Sequence, residues 1–330
     1  MREEILFEIG SANRNPLVVK GFRFGKKEEG KPSIAIVGAL YGDAISQLFV
    51  ASSLVNFLAQ KEAENPNFIT GEILIIPSVN NYSFNIAERY WPLDKTDIDM
   101  MFPGYDKGET TQRIAHRLFE ALQGFTYGVV LENRKDRAYC LPYIKLFNVF
   151  EESIGEAKKF GFRFIHHRAT TPVDTVSLQY NWKLWGTKTF SIVFGKRSEI
   201  DYENGTLILE AVTRFLSKNN LIDFAVAEGY SSNVITREKI EVLKASKAGL
   251  FDPKVSPASV VKKGQVLSYT TNAQDGRTLE KLISPCDGIV TCIYDKILCE
   301  NDISKVLTLC KDSVLVIQYF LRCSMQVLKS

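Results

Sequence analysis

Residues 33–60, SIAIVGALYGDAISQLFVASSLVNFLAQ, decide the fold. Ile34 to Val37 form a short apolar run of strand character. Gly38 and Gly42 bracket a tight turn, and Leu48, Ala51, Val55 and Leu58 then recur at the helical period on one face. A strand that feeds a tight turn opening a helix places the turn's side chains at the carboxyl edge of a sheet. They stand beside the positive end of a helix, where sites are commonly built.

Working outward, the same alternation continues. Glu72 to Pro77 (EILIIP) reads as a second interior strand, Thr110 to Leu122 as a helix with Ile114, Leu118 and Leu122 on one stripe, and Tyr127 to Leu131 as a third strand. A helix over 152–160, a strand over 162–166, a helical stretch over 173–184, a strand over 189–194 and a helix over 207–217 follow. Ahead of them all, Leu17 to Val19 belong to an early strand pair. Alternating strands and helices predict an α/β sandwich around a central, mostly parallel or mixed sheet. From about Ile235 the pattern changes to short β runs with Pro and Gly turns. We therefore expect two domains, an α/β domain over 1–234 and a small all-β module over 235–330. Residues 79–108 form a polar and aromatic loop too long to be a mere connector.

Of the 330 residues, 45% are hydrophobic and 24% charged, and the net charge is +3. That near-neutral balance, without a block of like charge, points to neither nucleic acid nor an anionic membrane surface. The first residues, MREEILFEIG, lack the apolar run of a signal peptide, and no apolar stretch is long enough to span a bilayer. The expectation is a cytoplasmic protein whose six cysteines, none in a CxxC pair, are reduced thiols.

Several segments in consistent order resemble the succinylglutamate desuccinylase/aspartoacylase family, relatives of the zinc carboxypeptidases. The turn at residues 39–44 (ALYGDA) stands over the family's Gly-x-His-Gly-(Asp/Asn)-Glu. Asn80 to Phe84 (NNYSF) is similar to Asn-Pro-x-Ala-Phe, Arg89-Tyr90 to an Arg followed by an aromatic, and Asp97 to Gly104 (DIDMMFPG) to Asp-Leu-Asn-Arg-x-Phe-Pro-Gly. The strand end at 130–133 (VLEN) matches one that reads Asp-Leu-His, and Phe190 to Gly195 (FSIVFG) one that carries a Glu. Lys262 to Gln265 and Ser284 to Val290 resemble the family's C-terminal β module, which is also similar to a biotinyl/lipoyl hammerhead. The module has no Met-Lys pair of that kind, so a structural role is expected for it.

The resemblance implies a zinc-carboxypeptidase-like fold and a zinc amide hydrolase with a His₂Glu ligand set, a carboxylate base and an Arg for an anionic substrate. This sequence departs from that set at every chemical position. Tyr41 and Asn133 stand at the two His places, Ala44 at the Glu place, and Val193 or Phe194 at the general-base place. Asp99-Met100 replaces the substrate-gripping Asn-Arg pair, while Arg89 and Asp97 persist. No metal and no catalytic residue are expected. The candidate cleft is Tyr41, Asp43, Arg89, Asp97, Asp99, Met100, Glu132 and Asn133.

The leading expectation is a metal-free pseudoenzyme that binds a small ligand or forms a homo-oligomer or a hetero-oligomer with an active paralogue. The alternative is a metal-dependent deacylase or carboxypeptidase-like amidase that holds zinc, or an oxygen-preferring cation, through Asp43, Asp99, Glu132, Asn133 or His166. Of the other histidines, His116 is expected to pack on its helix, and His167 shares its strand end with His166. Cys140, after the basic Arg134, Lys135 and Arg137, is expected to be a structural thiol. The aromatics Tyr90, Trp91, Phe102, Tyr105, Tyr180, Trp182 and Trp185 are expected mainly to pack.

Overall fold

The structure is a computed structural model that describes residues 1–11, 15–134, 138–147, 153–195, 198–294, 298–299 and 305–311. The strands of its large sheet are β1 (Arg2–Ile9), β2 (Leu17–Phe24), β3 (Ser33–Ala39), β4 (Glu72–Ser78), β5 (Tyr127–Glu132), β7 (Tyr143–Phe147), β8 (Phe164–Arg168), β9 (Lys188–Val193) and β10 (Asn233–Ile235). A short β6 (Ala138–Cys140) lies between β5 and β7 in the chain and joins a different sheet.

In space the order is β1-β2-β4-β3-β5-β9-β7-β8-β10. β4, β3, β5 and β9 run parallel, flanked on one side by antiparallel β2, which pairs in turn antiparallel with β1, and on the other by antiparallel β7. The sheet is mixed, with its parallel strands at the centre. Every residue of β3 is buried, which is why this strand reads as a continuous apolar run rather than an alternation.

Helices cover both faces. On one, α1 (Ile45–Glu64), α4 (Ser153–Lys158) and α6 (Tyr202–Lys218) pack over Ile34, Ile36, Val129, Leu131 and Ile192. On the other, α3 (Thr110–Ala121) and α5 (Leu178–Leu184) pack over Ala35, Val37, Ala39 and Val130, helped by Trp91, Ile98 and Phe102 from the long loop. That loop begins with a single turn, α2 (Asn81–Phe84). The buried stripe of α1 is Val50, Ala51, Leu54, Phe57 and Leu58, rotated from the predicted face because the helix must also contact α6. The stretch over 173–184 breaks at Ser177 into a 3-10 turn (Pro172–Val176) and α5, whose first turn Ser177 caps. The early strand pair is β1 with β2, of which only the second has bounds in the sequence reading, while β6 and β7 escape it, since their burial is partial or their length short.

Beyond β10 the chain forms β11 (Ile240–Lys244), β12 (Gly249–Pro253), β13 (Val260–Val261), β14 (Val266–Thr271), β15 (Thr278–Ile283), β16 (Gly288–Tyr294), β17 (Leu298–Cys299) and β18 (Lys305–Lys311). These make two small sheets, ordered β11-β18-β16-β13 and β15-β14-β12-β17, around Val261, Leu267, Val290, Leu307 and Leu309. β6 adds to the first of them by pairing with β16, so the β5–β7 connection stitches the two parts together.

This pairing corrects the expectation of six reduced thiols. Cys140 and Cys292 are register partners with Cα atoms 4.1 Å apart, and they form a disulfide. The two lie 152 residues apart in the chain, so only the cross-strand pairing brings them together. Lys135 and Arg137 lie outside the described residues.

Trp182 is the largest fully buried side chain. It lies across Gly128 of β5, where a Cβ would stand 2.7 Å from the indole, and its Nε1–H donates to the Leu122 carbonyl at 2.9 Å. Substituting Trp182→Ala should therefore leave both a cavity and an unpaired carbonyl. The expected loss is about 3–5 kcal/mol in equilibrium denaturation, whereas the same truncation at exposed Trp185 should cost far less.

Candidate functional site

The turn after β3 carries Tyr41, Asp43 and Ala44 at the carboxyl edge of the sheet, with Ala44 at the start of α1. Gly42 holds the long loop against it. A Cβ on Gly42 would lie 2.3 Å from Ser83 and 2.4 Å from the Glu88 carbonyl oxygen, so only glycine permits that approach. The contact sets Arg89, the next residue, directly over the turn.

Arg89 is 4% exposed. Its guanidinium carbon stands 3.5 Å from the centre of the Tyr41 ring. Its Nη1 donates to Asn133 Oδ1 at 3.1 Å and its Nε to Asp97 Oδ2 at 3.4 Å. Asn133, just past β5, donates its own Nδ2–H to Asp43 Oδ1 at 3.2 Å. Burial disfavours the guanidinium charge, but Tyr41, Asp97, Asp43 and Asp99 together hold its pKa above the ordinary value.

Asp97 caps the 3-10 turn at Ile98–Met100 and accepts from the Asp99 amide. Asp99 in turn accepts from the Tyr41 hydroxyl at 3.0 Å and from the Leu178 amide, at the start of α5, at 3.1 Å. Burial, and then the negative charge of Glu132, push the Asp99 carboxyl up to about 7, against the opposing pull of Lys145 and the Leu178 amide. Burial and the Asp99 charge likewise raise the Tyr41 hydroxyl well above its usual range, so it stays a donor.

Beside this lies a second group on the same face of the sheet. Glu132 ends β5, Ser191 lies on β9, and Lys145 on β7 is the register partner of Ser191. Lys145 Nζ donates to both Glu132 oxygens, at 2.9 and 2.6 Å, and Ser191 donates to Glu132 as well. Burial alone would lower the Lys145 pKa, but Glu132 outweighs it and the ammonium is stabilised. Sequence reading misses Lys145 and Ser191. The available signal is a lone lysine inside the apolar run Tyr143–Phe147.

The other candidates fall outside this network. Met100 is 37% exposed. Val193 is buried, and Phe194 packs in the core under α1 and α6. His116 lies on α3 beside Glu120. His166, next to Lys145 in register on β8, is kept neutral, its pKa lowered to about 4 by burial and then by Arg168, Arg134, Lys145 and Arg237. Of the aromatics, Trp91, Phe102 and Trp182 are core residues, while Tyr90, Tyr105 and Trp185 are exposed.

The donor set does not fit a zinc ion. Ala44 offers no atom, Tyr41 turns its hydroxyl to Asp99 and its ring to a guanidinium, and Asn133 accepts from that same guanidinium. Among the described residues no three His, Cys, Asp or Glu side chains are grouped to hold a metal.

The architecture, a mixed sheet between helices with a β appendage, is the zinc-carboxypeptidase-like fold of the desuccinylase and aspartoacylase proteins. The chain superposes on a succinylglutamate desuccinylase from a Silicibacter species with a TM-score of 0.74 and 14% identity, over 94% of this chain and 95% of that one. A succinylglutamate desuccinylase/aspartoacylase from Rhodobacter sphaeroides gives 0.72 and 16%, over 94% and 96%. An aspartoacylase family protein from Mesorhizobium loti gives 0.71 and 18%, over 91% of each. No protein-family model matches the sequence, and no curated protein does.

The raised Asp99 pKa has a signed consequence for stability. The folded state binds this proton more tightly than the unfolded chain, whose value is near 3.8. The contribution is therefore complete below about pH 4 and lost as pH rises through about 7. Thermal unfolding followed from pH 4 to 8 should show wild type losing stability relative to Asp99→Asn, which has no such proton to lose. Parallel pH profiles would remove this assignment.

Proposed function

We propose that the chain is a divergent, non-catalytic member of the succinylglutamate desuccinylase/aspartoacylase family. It works without a metal, by binding a small ligand or by assembling with itself or an active paralogue. One observation carries the reading. The positions that the resemblance matches to metal ligands hold Tyr41, Ala44 and Asn133, and the side chains there are spent on Asp99, Asp43 and Arg89. Val193 and Phe194 have no proton to exchange, and Asp99 with Met100 removes the fork that would pair with an anionic substrate.

For the relocated-ligand alternative, Asp43 and Glu132 would have to leave separate networks. Asp43 accepts from Asn133, whereas Glu132 accepts from Lys145 and Ser191. In support of a binding role, the loop that brings Arg89 to the turn also exposes Ile86, Tyr90, Leu93, Met100 and Tyr105, an apolar supply suited to a partner or ligand rim.

Elemental analysis of the purified, untagged protein before and after dialysis against zinc and manganese tests the reading, together with hydrolysis assays on N-acyl amino acids. The expected result is substoichiometric metal in every sample and no turnover. One tightly held metal per chain with hydrolysis would end it, and Asp43→Ala and Glu132→Ala would then locate the ligands.

A further inference from the structure

Arg89 has an unusual position for a residue of a substrate cleft. Its guanidinium is nearly sealed from solvent and is enclosed by the Tyr41 ring on one face, Asn133 and Asp97 at its edge, and Asp43 behind Asn133. Two of these four, Tyr41 and Asn133, are the positions the resemblance matches to metal-binding histidines, and Asp43 lies between Tyr41 and Ala44, the two matched positions of the turn. A ring face, an amide oxygen and two carboxylates are the lining that a cation requires.

We propose that Arg89 is the resident cation of this site. Its guanidinium takes the place and charge of a bound ion, and the cage of Tyr41, Asp43, Asp97 and Asn133 is a cation site filled by the chain itself. This deepens the metal-free reading and rests on it. Three independent contacts define the occupant's shape: stacking on a planar ring, a single Nη1–H donated to Asn133, and an Nε–H donated to Asp97. They suit a flat, delocalised cation with several N–H donors. A spherical divalent ion would need three or more hard donors converging at short range, which the cage does not present.

It follows that removing the Arg89 side chain should leave a cavity selective for guanidinium compounds. Arg89→Ala is expected to unfold about 5–10 °C below wild type, because it leaves buried carboxylates without their counter-charge. Methylguanidinium at about 10 mM should restore at least about half of that loss by binding only the folded variant. Tetramethylammonium chloride at equal concentration should not, and wild type should respond to neither. An Arg89→Ala variant as stable as wild type, or one recovered equally by both salts or by neither, would overturn the proposal.

If that variant does not fold, Arg89→Lys carries the test. It keeps the charge but loses the two separately aimed N–H donors and the stacking, so it should fold with a lowered Tm. An arginine Nε–H resonance protected from solvent exchange in wild type should disappear from its spectrum. Unchanged Tm, or persistence of that resonance, would refute the assignment. Metal analysis separates the two readings. If Arg89 fails these tests while wild type stays metal-free, the non-catalytic reading survives alone. Stoichiometric metal on wild type would remove both.

Discussion

A guanidinium shut away from water must be compensated on every side, and around Arg89 that requirement organises the edge of the sheet. Its partners come from three separate places: the turn after β3, the end of β5, and Asp97 further along the long loop that carries Arg89. Removing one partner of a buried charge pair strands the other in a medium that solvates it poorly. Each of these residues therefore constrains the rest. The loop over 79–108 is ordered against the sheet partly because its only buried arginine has to be, and Gly42 is required because nothing larger lets the loop come close enough.

The second network, Glu132 with Lys145 and Ser191, obeys the same logic with a different geometry. It lies within the sheet, where parallel β5 and β9 and antiparallel β7 bring three polar side chains onto one face. The two networks communicate through Asp99, whose carboxyl feels Glu132 on one side and is held by Tyr41 and the Leu178 amide on the other. The result is a polar seam of two neighbouring networks at the carboxyl edge of the sheet, with donors and acceptors paired internally.

Much of the α/β framework was legible in the chain. The dry run of β3, the stripe of α3 and the apolar β4 are periodic signals strong enough to survive without context. β1, expected only as half of an early strand pair, received no bounds because an edge strand with one wet face shows weak patterning, and β6 was missed because three residues carry no period at all. The rotated stripe of α1 shows tertiary contact with α6 overriding a local pattern. For the candidate cleft, ordered resemblance named Tyr41, Asp43, Arg89, Asp97, Asp99, Met100, Glu132 and Asn133, of which Met100 stands outside the two networks. It did not reveal Lys145, Ser191 or the Leu178 amide, which are near this seam only through strand register and the start of α5.

By itself, the sequence determined that the chain builds a strand–turn–helix with a sheet behind it, and its resemblance to a zinc-hydrolase family matches that family's ligand positions to residues of a different chemical type. These are properties of residue type and short-range order, and one chain expresses them directly. The tertiary structure alone decided what those residues do instead. It stacked Arg89 on Tyr41, placed Lys145 against Glu132, and brought Cys140 across 152 residues to Cys292. Such partnerships depend on register and loop packing between segments distant in the chain, where no local period carries the information.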